Sequence, residues 1–280
     1  MNLSQAGSEP PHDPNTTWTE IQTSQESTIT ALDREQPGKG RQQLIANYQT
    51  LLKEEAIYYP VCYRFERRVG RGRQATVFLT QRQGARGCLT KHAIKVFDPG
   101  IYSNAKKYWT DMGRIAGQTS VLAAIRSPHL VALDTYEEIN GIGYQQMEYI
   151  NGRDLRHIIT ARHLDKVKAC VSAELWERFS TEVFRVEEDN TSIQPGVAVY
   201  LLRMMLKGLE SLHNAGFIHA DLKPSNVMIN RFGYVKLVDF GRATKPDEKP
   251  RILLGSPMYM APEVHRREQG NIQSDLYSVG

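Results

Sequence analysis

The residues most able to do chemistry together sit late in the chain. His219-Ala-Asp221-Leu-Lys223-Pro-Ser-Asn226 is followed, after two short apolar runs, by Asp239-Phe-Gly241. Asp221 is a carboxylate that can accept a hydroxyl proton, and Lys223 is a cation that can steady a moving phosphoryl group. Asn226 and Asp239 carry hard oxygen donors of the kind Mg²⁺ prefers, since that ion binds few carboxylates and keeps several waters. Phosphoryl transfer asks for such a set, because positioning and charge neutralisation supply most of its catalysis. Either string alone is an ordinary turn. Both in this order argue for one site.

Two upstream features fit the same chemistry. Gly70-Arg-Gly72-Arg-Gln-Ala75 is a weak signal by itself. A dinucleotide-binding turn would run straight into a helix. Here Thr76-Val-Phe-Leu-Thr80 follows, which reads as strand. A glycine turn between two strands suits a flap over phosphates, where main-chain N–H groups must approach an anion with no Cβ in the way. Some twenty residues later, in His92-Ala-Ile-Lys95, a lysine lies on a third strand beneath that flap.

Elements that could hold these groups are legible around them. Leu44, Ile45, Tyr48, Leu51 and Leu52 share one helical face, and Pro60 is expected to end that helix. It is read as packing on the following domain, with a docking or dimer helix as the alternative. Tyr63 to Val69, Thr76 to Arg82, His92 to Phe97, Leu130 to Ile139 and Ile142 to Tyr149 read as five antiparallel strands. Asn140-Gly141 is a strong hairpin signal between the last two. One helix, from about Ser103 to Ile125, is inserted among them. In the second half, Val197 to Ala215 is helical, and Val227-Met-Ile and Tyr234 to Val238 are short strands. Residues 156–196 form a mixed polar segment whose Trp176 and Phe179 suggest that it packs. Residues 1–40, rich in Ser, Thr, Gln, Pro and Gly, read as a disordered tail.

Composition bounds the partners. The chain has 280 residues, 40% of them hydrophobic, enough for a core. A formal charge of +4 with no long basic block argues against nucleic acid. Three scattered cysteines argue against a disulfide framework or a zinc site and favour a reducing, cytoplasmic setting. There is no secretory signal pattern and no run long and apolar enough to span a membrane. A span beyond Gly280 in a longer parent chain is left open.

With these motifs in hand, the sequence from about residue 60 to 280 resembles the protein kinase superfamily, in its eukaryotic-like Ser/Thr form. The resemblance implies an α+β, bilobal fold: a five-stranded antiparallel N-lobe sheet with one helix (residues 61–147) and a mainly helical C-lobe (151–280). It implies ATP and Mg²⁺ as cofactors and Ser/Thr hydroxyls of proteins as acceptors. Val69, Gly70, Gly72 and Val77 would form the flap over ATP. Ala93 and Met228 would sandwich adenine, Met147 would be the gatekeeper, and Glu148 and Ile150 would present hinge main chain. Asp154 would bind ribose. Lys95, Asp221 and Lys223 would be catalytic, and Asn226 and Asp239 would hold the metal. Ala261-Pro-Glu263 resembles the motif that closes the activation segment, and Asp275 would brace the catalytic loop. Ser256 fills the place of a threonine bonded to the catalytic Asp and Lys.

Four departures qualify the resemblance. The family's glutamate partner of the strand lysine falls on Gln118, whose carbonyl could accept one weaker bond from Lys95. Asp111 lies two turns away, roughly 10 Å along a helix. That substitution predicts slow turnover and a gain on Gln118→Glu. Ala220 replaces an arginine that normally meets a loop phosphate, and Thr244 is the sole hydroxyl acceptor from Arg242 to Leu254. Activity is therefore expected not to wait for loop phosphorylation. Residues 156–196 exceed the usual link and are a second candidate, beside the N-terminal helix, for partner recognition. Ser274 to Gly280 resembles only the start of the buried C-lobe helix, so the C-lobe is expected to be incomplete and poorly soluble alone. The alternative function is a pseudokinase, a nucleotide-binding or scaffold module without useful turnover. A small-molecule phosphotransferase is a more distant one.

Overall fold

The computed structural model describes residues 39–58, 61–187, 190–246 and 256–280. The proposed tail falls almost wholly outside these residues, as does Pro60, and the first helix is ended not by Pro60 but at Glu54, where Glu55 turns to φ of 51° and a short strand begins. Helix α1 (Lys39–Glu54) is followed by strands β1 (Ala56–Ile57), β2 (Tyr63–Arg71), β3 (Ala75–Gln83) and β4 (Leu89–Phe97). Then come helix α2 (Ala105–Leu122) and strands β5 (Leu133–Ile139) and β6 (Ile142–Glu148). These strands form one antiparallel sheet in the order β1-β2-β3-β4-β6-β5. The five expected strands are present. A sixth, β1, adds two residues to the edge and is too short to carry a periodic signal.

Helix α2 starts at Asn104, whose side chain accepts from the Lys107 N–H at 2.9 Å. It buries Tyr108, Met112, Ile115, Thr119 and Leu122, the three-and-four spacing of a single face. The same core takes in Leu44, Tyr48 and Leu51 of α1. Burial of each is worth roughly 1.5–3 kcal/mol. Tyr48 also meets Thr76 Oγ1 at 3.2 Å, and Arg41 donates to the Tyr102 carbonyl at 2.7 Å. The apolar face of α1 is thus covered by its own sheet. Asn140 and Gly141 both have positive φ, 49° and 76°, as a tight right-twisted hairpin turn requires.

The second half begins with β7 (Gly152–Asp154) and helix α3 (Leu155–Ile158). The segment read as mixed polar contains helices α4 (Ala161–Cys170) and α5 (Ala173–Glu182) and a hairpin of β8 (Phe184–Glu187) and β9 (Asn190–Ile193). Phe179 packs between Trp176 and the buried Phe184, with ring centroids 6.0 and 5.3 Å away. The segment therefore packs through the aromatic residues that suggested it.

Helix α6 (Pro195–Asn214) buries Leu201, Met205, Leu209 and Leu212 against strands β10 (Val227–Asn230) and β11 (Val235–Leu237). Strand β7 pairs with β10, giving a small sheet in the order β11-β10-β7. Helix α7 (Pro262–His265) and helix α8 (Ile272–Val279) follow. Asn271 and Ser274 cap α8 reciprocally, each side chain meeting the other's N–H. Among the described residues no helix is long and apolar enough to cross a membrane.

Candidate functional site

The lower part of the site is a local structure. Between α6 and β10 the chain makes a short turn in which the Asn226 N–H donates to the Lys223 carbonyl at 2.8 Å. That turn folds three side chains together. Lys223 Nζ reaches Asp221 Oδ2 at 2.7 Å, and Asn226 Nδ2 donates to the Asp221 carbonyl at 2.8 Å and to its Oδ2 at 3.3 Å. With its nitrogen so engaged, Asn226 has its amide oxygen to offer a cation.

Asp275, in the first turn of α8, supports this loop from behind. It is 2% exposed and accepts from the His219 N–H at 2.7 Å, the Ala220 N–H at 2.9 Å and His213 Nε2 at 2.9 Å. Ala220 has φ of 59°, a conformation disfavoured for a residue with a Cβ. Those two main-chain bonds hold it there. The brace expected of Asp275 is present.

Asp239 follows β11 with φ of 65° and joins the two halves. Its Oδ1 lies 2.6 Å from Lys95 Nζ, across 144 residues of sequence. The Lys95 ammonium holds the Asp239 carboxyl well below the usual carboxylate range, against the opposing effect of burial. The Val238 N–H donates to the Asn226 carbonyl at 3.0 Å, so Asp239 is tied to the turn that carries Asn226. Lys95, Asp239, Asn226, Asp221 and Lys223 therefore form one connected set.

The upper wall comes from strand register. Gly70 lies opposite Val77, Val77 opposite Lys95, and Ala93 opposite Met147. Directly paired residues and residues two apart share a face, so Gly70, Val77, Lys95, Ala93 and Met147 all point to one side of the sheet. Ile94 and Val96, fully buried, point to the other. Val69 is exposed at the flap, and the Gly72 N–H closes the turn on the Ala75 carbonyl at 2.9 Å. Met228 in β10 pairs with Asp154 in β7 below. Glu148 and Ile150 lie where the chain leaves β6. The Glu148 side chain is held by Lys236 at 2.9 Å. Asp154 caps α3, accepting from the His157 N–H at 2.9 Å and meeting His157 Nδ1 at 2.7 Å, so a ribose would share that carboxylate with the cap.

Two expectations are corrected. Gln118 does not meet Lys95. Its carbonyl accepts from Arg114 Nη1 at 2.6 Å, and its amide nitrogen donates to the Ala243 carbonyl. A gap of about 10 Å³, near the size of one water, lies between Gln118 and Lys95, and both line it. Ser256 makes no hydrogen bond to Asp221 or Lys223 among the described residues. Sequence reasoning missed Gln74, Arg114 and Arg242. Gln74, at the flap tip, donates to Asp111 Oδ2 at 2.8 Å. Arg114 donates to Asp111 at 2.9 Å and to the Gly241 carbonyl at 3.0 Å. Arg242 Nη1 lies 3.7 Å from Asp221 Oδ1. Arg242 directly follows Asp239-Phe-Gly241 and was findable from that position. Gln74 lies within the glycine string but at a position the motif leaves free, and Arg114 carried no motif.

Comparison with known proteins agrees with this arrangement. A model of the protein kinase domain matches residues 63–280. The chain is 31% identical over 224 residues to a probable serine/threonine-protein kinase of Bifidobacterium longum, covering 78% of this chain and 25% of that one. It is 26% identical over 224 residues to a probable serine/threonine-protein kinase of Lactococcus lactis, covering 78% and 30%. It is 29% identical over 215 residues to human ribosomal protein S6 kinase alpha-1, covering 76% and 25%. The matched region thus spans under a third of the length of each of these relatives.

Proposed function

This chain belongs to the protein kinase family, and from that premise we propose that it transfers the γ-phosphoryl group of ATP to serine or threonine hydroxyls of protein substrates. One observation carries the reading: Lys95 from the upper sheet meets Asp239 at 2.6 Å, beside the turn that joins Asn226, Asp221 and Lys223.

The donor set fits Mg²⁺. Among the described residues no three His, Cys, Asp or Glu side chains cluster to hold a metal by themselves. Magnesium suits one carboxylate, one amide oxygen and the phosphates of a nucleotide. Asp239 and Asn226 would hold it, and bound there it neutralises charge on the phosphate oxygens. Lys95 would hold phosphate oxygens from above. Asp221 would orient the acceptor hydroxyl and take its proton, while Lys223, 2.7 Å from Asp221, would steady the equatorial oxygens. Gly70, Gly72, Val69 and Val77 would close over the phosphates. Ala93, Met147 and Met228 would enclose the base, and Glu148 and Ile150 would offer main chain to it. Asp154 would meet the ribose. The three cysteines are exposed and unpaired, in keeping with a cytoplasmic location.

A binding-only module is the second reading, favoured by the lack of a carboxylate facing Lys95 from α2. The test is transfer of labelled γ-phosphate to a basic protein with Mg²⁺. Loss of a positioned base lowers turnover about 10²- to 10⁴-fold, so Asp221→Asn should do so with nucleotide affinity nearly unchanged. Transfer that survives Asp221→Asn, or nucleotide binding with no Asp221-dependent transfer, overturns the kinase reading.

A further inference from the structure

We infer that Arg114 and Gln118 position Asp239, clasping helix α2 to the main chain that follows it, in place of a helix carboxylate paired with Lys95. The inference rests on Asp239 serving as the Mg²⁺ ligand. Arg114 donates from all three guanidinium nitrogens: Nε to Asp111, Nη1 to Gln118 and Nη2 to the Gly241 carbonyl. Gln118, held by Arg114 through its oxygen, uses its nitrogen for the Ala243 carbonyl. Two main-chain carbonyls, two and four residues past Asp239, are thereby bonded to one helix.

The anchored segment has little other freedom. The Ala243 N–H donates to the Phe240 carbonyl at 2.9 Å, and Thr244 exchanges main-chain bonds with Ile218 at 2.9 and 3.1 Å. Phe240 is buried against His219, with ring centroids 5.5 Å apart. Asp239 itself sits at φ 65°, a left-handed conformation uncommon outside glycine, with its side chain accepting from the Gly241 N–H at 3.4 Å. The clasp also reaches the flap, because Asp111 accepts from Gln74 at 2.8 Å and from Tyr102 at 2.6 Å as well as from Arg114. A planar guanidinium can bridge several acceptors in fixed directions, as a lysine ammonium does not. A glutamine at position 118 has both an acceptor for Arg114 and a donor for Ala243, whereas a glutamate has no donor. The residue that looks like a loss beside Lys95 is the one that fits these two partners.

The experiment compares wild type with Arg114→Ala, Arg114→Lys, Gln118→Glu and Asp221→Asn. Two readouts are taken: amide hydrogen exchange over residues 239–244 without nucleotide, and kcat and KM for ATP across a Mg²⁺ series. Losing one or two such bonds should raise exchange in that segment, and the Mg²⁺ needed for half-maximal rate, about 10- to 100-fold. The KM for ATP at saturating Mg²⁺ should move far less than kcat. Arg114→Lys should fall between, and Gln118→Glu should slow the enzyme. Gln118→Glu is near-isosteric, so it decides the matter if Arg114→Ala fails to fold. Unchanged exchange and Mg²⁺ dependence in both Arg114→Lys and Gln118→Glu overturns the inference, as does a faster Gln118→Glu. If Asp221→Asn abolishes transfer while the clasp variants change nothing, only the clasp fails. If Asp221→Asn has no effect, the kinase reading itself fails.

Discussion

Removing Asp275 should loosen the 219–226 loop from behind without touching any residue proposed to act on the substrate. Its carboxylate is 2% exposed and accepts the N–H groups of His219 and Ala220 at 2.7 and 2.9 Å. In Asp275→Ala the buried His219 N–H is left with no acceptor, at about 1–3 kcal/mol, while the part-buried Ala220 N–H can turn to water and costs less, before the lost contact to His213 is counted. Asp275→Asn keeps one acceptor oxygen but turns an NH₂ toward the other N–H, and should cost about 1–3 kcal/mol. The loop has reason to move once released, because Ala220 at φ 59° carries local strain of roughly 1–2 kcal/mol. Relaxation there would shift the adjacent Asp221, and a misplacement near 1 Å can lower turnover about 10²-fold. Urea denaturation measures the stability loss, amide exchange at His219 and Ala220 localises it, and phosphoryl transfer reads the consequence. A loss below about 1 kcal/mol in Asp275→Ala, or exchange raised elsewhere but not at those two amides, would refute the reasoning.

Two further outcomes follow from the same geometry. A Cβ on Gly152 would lie 2.0 Å from the Ile229 carbonyl oxygen and 2.7 Å from Asn230 Cα, main-chain atoms that have no way to swing aside. Gly152→Ala should therefore cost about 3 kcal/mol in urea denaturation and weaken ATP binding by spreading β7 from β10, whereas Gly113→Ala on the open face of α2 should gain about 0.5–1 kcal/mol. The second outcome concerns pH. Lys95 holds the Asp239 carboxyl below its ordinary value of 3.8, so the ionised form favours the fold. That contribution is complete above pH 3.8 and fades as pH falls through the lower native value. A carboxylate NMR titration should find Asp239 still ionised well below pH 3.8 in wild type and titrating nearer that value in Lys95→Met.

What could be read from the sequence follows the range of the interactions. Asp221, Lys223 and Asn226 lie within six residues, so one turn fixes their geometry and type and spacing suffice. Lys95 was legible because strand alternation decides which side chains face the flap. The hairpin at Asn140-Gly141 was legible because positive φ at two successive residues leaves few alternatives. The two helices and the hairpin in residues 156–196 were not recovered. Each of those helices is only ten residues long and carries few apolar residues, so its one-sided pattern is too short to stand out from the polar sequence around it. Strand β1 is two residues long and owes its existence to β2. Counting along α2 set Gln118 opposite Lys95, yet its partners are Arg114 and the Ala243 carbonyl. A helix can present the same residue to a lysine or to a carbonyl 125 residues away, and sequence carries no measure of that choice.

The two most conspicuous departures from the family pattern belong together for a mechanical reason. An arginine before Asp221 would reach a phosphate on the activation segment and hold that segment from the lower lobe. Ala220 has no side chain to do so, and its own N–H is given to Asp275. If nothing replaced that hold, the start of the segment would depend on packing of Phe240 and on the main-chain pair between Thr244 and Ile218. The replacement comes from the other lobe: Arg114 and Gln118 bond the Gly241 and Ala243 carbonyls directly. Bonds to main chain are present whatever the modification state of the loop. On this argument the loss of the lower anchor and the exchange of a carboxylate for an amide on α2 are two halves of one change. The start of the segment should therefore be held in the same way whether or not the loop carries a phosphate, which amide exchange over residues 239–244 before and after phosphatase treatment would check.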